Sequence, residues 1–261
     1  MVYATNTETV TVGCWKTWIE HNLAPIVASL RECDVFKEVF LAVGEEATDN
    51  RRAHRFGARL VPCLREVHDA LKKTGLVDRV KLVTIFGMSI LGSSCPPSTG
   101  RVSVAHGEVV TDVTRLLVKI GSPFCVNLYP FFSGYDYKDF LLFGSDPDPC
   151  YLDEGNLRYK SMLSAQYDAI ISALGRLDVV GADQMDVVVA GTGWPTAGSG
   201  MADGSSAGKF TAGVCAASVK GTPLRPGRID VYLFELYDEC EKPGAESERH
   251  FGLFDIEGRP K

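Results

Sequence analysis

The chain lacks a membrane span: none of its apolar runs approaches the roughly 18 to 20 residues that crossing a bilayer requires. Basic residues are also scarce, 27 Lys and Arg against 33 Asp and Glu, for a formal net charge of −6. A chain without a broad positive field has little with which to hold phosphate backbones or anionic lipid, so nucleic acid is not an expected partner. The start, Met1-Val2-Tyr3-Ala4-Thr5-Asn6, lacks the basic-then-apolar pattern of a secretion signal. No C-x-x-C pair or Cys/His metal spacing occurs among the eight cysteines, Cys14, Cys33, Cys63, Cys95, Cys125, Cys150, Cys215 and Cys240. Their wide spacing leaves scattered core thiols, some disulfides or metal ligands as readings, core thiols being the simplest. No metal or cofactor is expected. Repeats, low-complexity tracts and linkers are missing as well, so residues 1–261, 45% hydrophobic, read as a single domain around one core.

What is present, from about residue 35 onward, is an alternation of short β-rich runs with helical patterns, the signature of a parallel α/β sheet. Five strands are expected: Val35 to Val43, Val80 to Phe86, Phe124 to Leu128, Asp186 to Ala190, and Ile229 to Phe234. Helices are expected at Val10 to Leu30, Phe56 to Thr74 (Leu60, Leu64, Val67 and Leu71 on one face), Val109 to Ile120, Leu157 to Leu174, and Ala207 to Val219. Phe132 to Glu154 fits neither period and reads as a functional loop or a small hairpin. The Gly/Pro/Ser clusters at Gly92 to Gly100 and Pro195 to Ser206 follow strands, where a β/α barrel carries its chemistry.

Several segments carry motifs. Leu41-Ala42-Val43-Gly44-Glu45-Glu46 resembles A-V-G-N-E, and Leu82-Val83-Thr84 through Leu91-Gly92-Ser93-Ser94-Cys95-Pro96-Pro97-Ser98 resembles S-T followed by L-G-x-S-Y-P-P-S. Gly121 through Phe132 is similar to G-S-P-x-x-V-N-x-Y-P-Y-F, and Val187-Val188-Val189-Ala190-Gly191-Thr192-Gly193-Trp194-Pro195 to V-V-V-S-E-T-G-W-P. Val231 to Gly244, then Ser247 to Phe254, look like V-Y-I-F-x-x-F-x-E-N-x-K-P-G and S-E-R-x-F-G-L-F. These collinear matches resemble glycoside hydrolase family 17, the plant endo-β-1,3-glucanases.

The resemblance implies an α/β fold of the (β/α)8 TIM-barrel type, incomplete, with strands four to eight and their helices and without the first three β/α units. An incomplete barrel keeps open sheet edges, which offer a route to self-association. It also implies β-1,3-glucan oligo- or polysaccharide as ligand, and a secreted or cell-wall setting. Retaining glycosidases place two carboxyl groups about 5 to 5.5 Å apart, one acid/base and one nucleophile. Glu46 matches the acid/base. Gly191 stands where the nucleophile belongs, and a glycine would remove the covalent intermediate and leave a carboxylate-sized cavity.

Further matches implied by the resemblance are Glu239, Lys242 and Glu248 around the nucleophile, Glu45 in place of a sugar-binding asparagine, and Asn127, a support residue. Tyr129, Phe132 and Trp194 match cleft aromatics, with Tyr129 and Trp194 expected against the sugar and Phe131 in the core. Two functions fit: a β-1,3-glucanase-type hydrolase impaired by Gly191, or a non-catalytic β-glucan-binding or interaction protein.

Overall fold

A computed structural model describes residues 1–4, 14–31, 39–48, 53–134, 137–144 and 151–261. Residues 10–13 of the expected first helix, residues 35–38 of the expected first strand, Cys33 and Cys150 lie outside them. The chain forms two compact units. The first comprises Met1–Gly92, Val102–Cys125 and Gly175–Asp186, and the second Ser93–Arg101, Val126–Leu174 and Val187–Lys261.

In the first unit, strands β1 (Val2–Ala4), β2 (Val39–Glu45) and β3 (Val80–Phe86) run parallel, with Val2 opposite Leu41 and Val39 opposite Val80. The apolar residues of β3 are buried, the continuous pattern of a strand covered on both faces. Five strands were expected, and β1 is a further one. Three residues are too few to carry a periodic pattern, and β1 is recognised only by its backbone pairing with β2. The opening helix runs as α1 (Trp15–Trp18), a π-helical turn Ile19–Leu23, and α2 (Ala24–Arg31).

Helix α3 (Ala53–Lys73) buries the expected stripe of Leu60, Leu64, Val67 and Leu71. Truncating one such leucine to alanine costs about 2 to 5 kcal/mol. Helix α4 (Gly107–Ile120) stops at Gly121, whose φ of +64° is the left-handed cap glycine adopts without a Cβ penalty. Strand β4 (Phe124–Asn127) begins in this unit, where Phe124 stacks on Phe86 with centroids 4.9 Å apart.

The second unit contains the end of β4, then α5 (Met162–Leu174), β5 (Val187–Thr192), α6 (Gly204–Lys220) and β6 (Val231–Leu233). Strands β5 and β6 are parallel, with Val231 opposite Val189 and Leu233 opposite Thr192. Helix α5 begins later than expected because Arg158–Tyr159 pairs antiparallel with Tyr151–Leu152. The segment that fits neither period thus contains a short helix, Lys138–Leu141, and one strand of a small hairpin. At the start of α6, Asp203 accepts from the N–H and hydroxyl of Ser206 at 2.8 and 2.6 Å. These bonds hold its carboxyl well below the usual range.

The reading of the cysteines as core thiols is corrected in part. Cys63 and Cys125 are buried, and burial pushes both thiols up to about 12, whereas Cys14, Cys95, Cys215 and Cys240 are exposed.

A buried carboxyl ties α5 to the turn after α6. Asp168, 0% exposed, accepts from Tyr159 Oη at 2.9 Å, Thr222 Oγ1 at 2.5 Å and Leu224 N at 2.9 Å. Burial pushes the Asp168 carboxyl up, and the three donors pull the other way. Asp168→Ala leaves those buried donors unpaired and is expected to cost roughly 2 to 4 kcal/mol in urea unfolding. A loss below about 0.5 kcal/mol, the size of an ordinary surface substitution, would contradict this role.

Candidate functional site

In the first unit the site is built at the carboxyl end of β2. The register against β3 slips between Ala42 and Glu45, Gly44 takes a φ of +79°, and Thr84 Oγ1 donates to Gly44 O at 3.1 Å. Such a bulge re-aims the residues that follow it. Glu46 then sits at φ +46°, a left-handed conformation costing about 1 to 2 kcal/mol outside glycine. Its N–H donates to Ile85 O at 2.8 Å.

The Glu46 carboxyl lies against Gly87, where an added Cβ would come within 3.0 Å of Cδ and Oε1. A side chain at Gly87 would therefore crowd the Glu46 carboxyl. Glu46 is half-buried and Glu45 is exposed. The loop beyond them is held by His106, 5% exposed, through Nε2 to Thr48 O at 2.8 Å. A carbonyl only accepts, so Nε2 carries the proton and Nδ1 accepts from Ser103 Oγ, also at 2.8 Å.

The second unit contributes the ends of β4, β5 and β6. Every residue of β5 is buried, and Gly191 sits one position before its end. A Cβ at Gly191 would lie 2.8 Å from both Asn127 Oδ1 and Tyr129 Oη. The ends of two polar side chains from β4 and the turn after it thus border the place where a side chain at Gly191 would begin. Thr192 Oγ1, the next side chain, is buried with no hydrogen-bond partner among the described residues.

Trp194 is corrected as well. It is 3% exposed, donates Nε1–H to Met201 O at 3.0 Å, and packs on Phe131 and Phe210 with centroids 5.1 and 5.6 Å away. An indole covered in this way offers no face to a sugar. Phe131 is buried, as expected. Phe132 presents the open aromatic surface, being 51% exposed with its ring 5.9 Å from those of Tyr129 and Phe251. Tyr129 is half-buried and Asn127 buried.

Lys242 brings the expected charged residues together. Its Nζ is 2.9 Å from Glu239 Oε2 and 3.8 Å from Glu248 Oε2, and lies 4.3 Å above the ring of Phe234. Phe234 in turn meets Tyr129 edge-on at 6.3 Å, so the charged group joins the aromatic one. Gly193 permits this approach, because a Cβ there would collide with the Phe234 carbonyl oxygen.

Sequence reasoning missed Glu235, two residues past β6. Burial, then the hydrogen bond and charge of Glu239, push its carboxyl up to about 8. Its Oε1 is buried with no hydrogen-bond partner among the described residues. No residue-type pattern marks such a position. His106 and Gly87 were missed for the same reason, since their roles exist only in contact with Thr48 and Glu46.

Parallel strands alternating with helices define an α/β protein consistent with an incomplete (β/α)8 barrel. The glycosyl hydrolases family 17 model matches residues 11–261, and the chain belongs to that family as a β-1,3-glucanase-like domain. A glucan endo-1,3-beta-glucosidase of Vitis vinifera is 29% identical over 91% of this chain and 67% of its own length. Glucan endo-1,3-beta-glucosidase 7 of Arabidopsis thaliana is 33% identical over 91% of this chain and 47% of its own. The chain thus spans between about half and two thirds of these relatives. Among solved structures, CJP38, a β-1,3-glucanase and allergen of Cryptomeria japonica pollen, superposes with a TM-score of 0.89 at 30% identity, covering 99% of this chain and 81% of that one.

Gly191→Glu must displace Asn127 and Tyr129 from a packed strand end. It is expected to destabilise the protein by about 1 to 3 kcal/mol in thermal or urea unfolding. Adding Tyr129→Phe should recover part of that loss. A Gly191→Glu protein as stable as the parent would show that the space is open.

Proposed function

We propose that this chain is a glucanase-type domain that binds β-1,3-glucan at its strand ends without cleaving it by the double-displacement route. The observation that carries the reading is Gly191 with its side-chain space taken by Asn127 Oδ1 and Tyr129 Oη. A retaining mechanism needs a carboxylate there to form the covalent glycosyl intermediate, and glycine supplies none. Glu46 keeps the acid/base position, held at a strained strand end, but an acid without its nucleophile performs half of the reaction. Glu45 is read as an acceptor for a sugar hydroxyl, and Glu239, Lys242 and Glu248 as the charged shell of a position that has lost its charge.

Aromatic packing supports ligand binding. Phe132 is exposed and backed by Phe131, Phe251 and Tyr129, and a rigid ring of this kind suits the apolar face of a glucose unit. The relatives named glucan endo-1,3-beta-glucosidase make β-1,3-glucan the ligand to test.

Two measurements test the reading. Laminarin incubated with the purified chain is expected to release no reducing sugar above a protein-free control. Calorimetry with laminarioligosaccharides is expected to show binding that weakens in Phe132→Ala by about 1 kcal/mol, or roughly fivefold. Reducing-sugar release that disappears in Glu46→Ala would contradict the non-hydrolytic reading, and absence of binding at millimolar ligand would contradict the glucan assignment.

A further inference from the structure

Helices α3 and α4 of the first unit border an open groove of about 390 Å³, a size within the range of small-molecule sites. From α3 it is lined by Arg65, His68, Asp69 and Lys72, whose spacing of i, i+3, i+4 and i+7 puts them on one face. The facing stripe of α4 is Asp112, Arg115, Leu116 and Lys119, spaced in the same way. Each stripe extends about 10 Å along its helix at the α-helical rise. Leu60, Leu64, Val67 and Leu71 form a separate, buried stripe of α3, so packing does not require the charged one.

Positive charge accumulates in this groove without matching negative charge. Arg65, Lys72, Arg115 and Lys119 set four cations against two carboxyl groups, Asp69 and Asp112, in a chain whose net charge is −6. Arg115 directs Nη1 to Asp112 at 2.6 Å and keeps its other guanidinium donors. Among the described residues Arg65, Lys72 and Lys119 form no ion pair, and the neighbouring Glu66 is engaged by Arg59 at 3.8 Å.

His68, half-buried in the groove, lies in the field of both helices. Burial first, then the charges of Lys72 and Lys119, hold its imidazole below the ordinary range, with Asp69 pulling the other way. Like charges brought together from two helices repel, and a ligand of opposite sign removes that cost.

We propose that this groove binds a small soluble anion carrying two or more phosphate groups, held by Arg65, Lys72, Arg115 and Lys119. Phosphate suits the groove better than carboxylate, because each group brings nearly two charges and three acceptor oxygens to a compact set of cations. Leu116 and Ile120, both half-buried, add apolar surface on which the remainder of such a ligand can lie. Long polyanions are disfavoured, since beyond the groove a chain of net charge −6 repels them. None of these residues belongs to the glucan site, so the groove can be occupied whether or not the strand ends bind sugar.

The experiment uses the full chain with inorganic tripolyphosphate as the probe, read by calorimetry and by NMR of the His68 ring, whose resonances are identified by their loss in His68→Gln. Tripolyphosphate at sub-millimolar concentration is expected to bind and to shift those resonances. The double variant Lys72→Gln, Lys119→Gln, at two exposed positions, should weaken binding about tenfold or more through lost charge-assisted hydrogen bonds. Lys209→Gln with Lys220→Gln on α6 makes the same change in net charge away from the groove. In 0.15 M salt, where charges beyond about 8 Å are largely screened, that control should alter affinity less than about twofold.

Equal weakening by the two double variants overturns the proposal, since net charge alone would then account for binding. Binding that leaves the His68 resonances in place does so too, because the anion would then sit elsewhere. An oligoglutamate peptide that binds as tightly as tripolyphosphate overturns the phosphate assignment. Binding to vesicles containing phosphatidylinositol bisphosphate, with none to the free anion, overturns the soluble-ligand assignment. No binding at millimolar tripolyphosphate overturns the groove as a phosphate site and leaves the glucan reading standing.

Discussion

Burial of the strands decides where chemistry can occur in this protein. The side chains of β5 are all covered, and those of β3 nearly so, because a parallel sheet packed on both faces leaves no open side chain along its length. Polar groups must then gather at the carboxyl ends of strands, where the backbone turns away and a side chain can reach solvent or a ligand. Glu45 at the end of β2 and Glu46 after it, Asn127 at the end of β4 with Tyr129 two residues on, and Glu235 after β6 all obey that constraint. The bulge and the left-handed Glu46 are local solutions to the same problem, turning a buried strand into a presented carboxyl.

The same packing bears on the surroundings of Gly191. A buried strand end tolerates no void, since an empty space forfeits contacts on every side. Tyr129 and Asn127 reach to within 2.8 Å of where a Cβ would stand. In the proposed reading hydrolysis lacks the carboxylate that would form the glycosyl intermediate, and Asn127 and Tyr129 border its position. The charged residues around Lys242 remain assembled because they hold one another and the Phe234 ring, whatever happens at Gly191.

Much of this architecture was legible in the sequence. Val80–Phe86 is a strand over the residues expected, because seven residues dominated by β-branched and aromatic side chains have few alternatives. The leucine stripe of α3 announced its buried face, and the collinear motifs singled out Glu239, Lys242 and Glu248, which the structure brings together. Other features had no local signal. Strand β1 is three residues defined by pairing across some forty positions, and the start of α5 was displaced by a hairpin whose partner strand is not predictable from periodicity. Trp194 follows its strand as the motif suggests, yet Phe131 and Phe210 cover it from distant positions. Glu235 looked like any loop glutamate until its oxygen proved to be buried.

In the proposed non-hydrolytic reading, no carboxylate at these strand ends forms a covalent bond to sugar. Intact-protein mass spectrometry after mixing with an activated β-glucosyl donor tests it most directly, since a retaining enzyme accumulates a glycosyl adduct whenever its second step is slower than its first. The account predicts an unchanged protein mass. An added glycosyl mass mapping to any carboxylate of the site, Glu235 included, would contradict it.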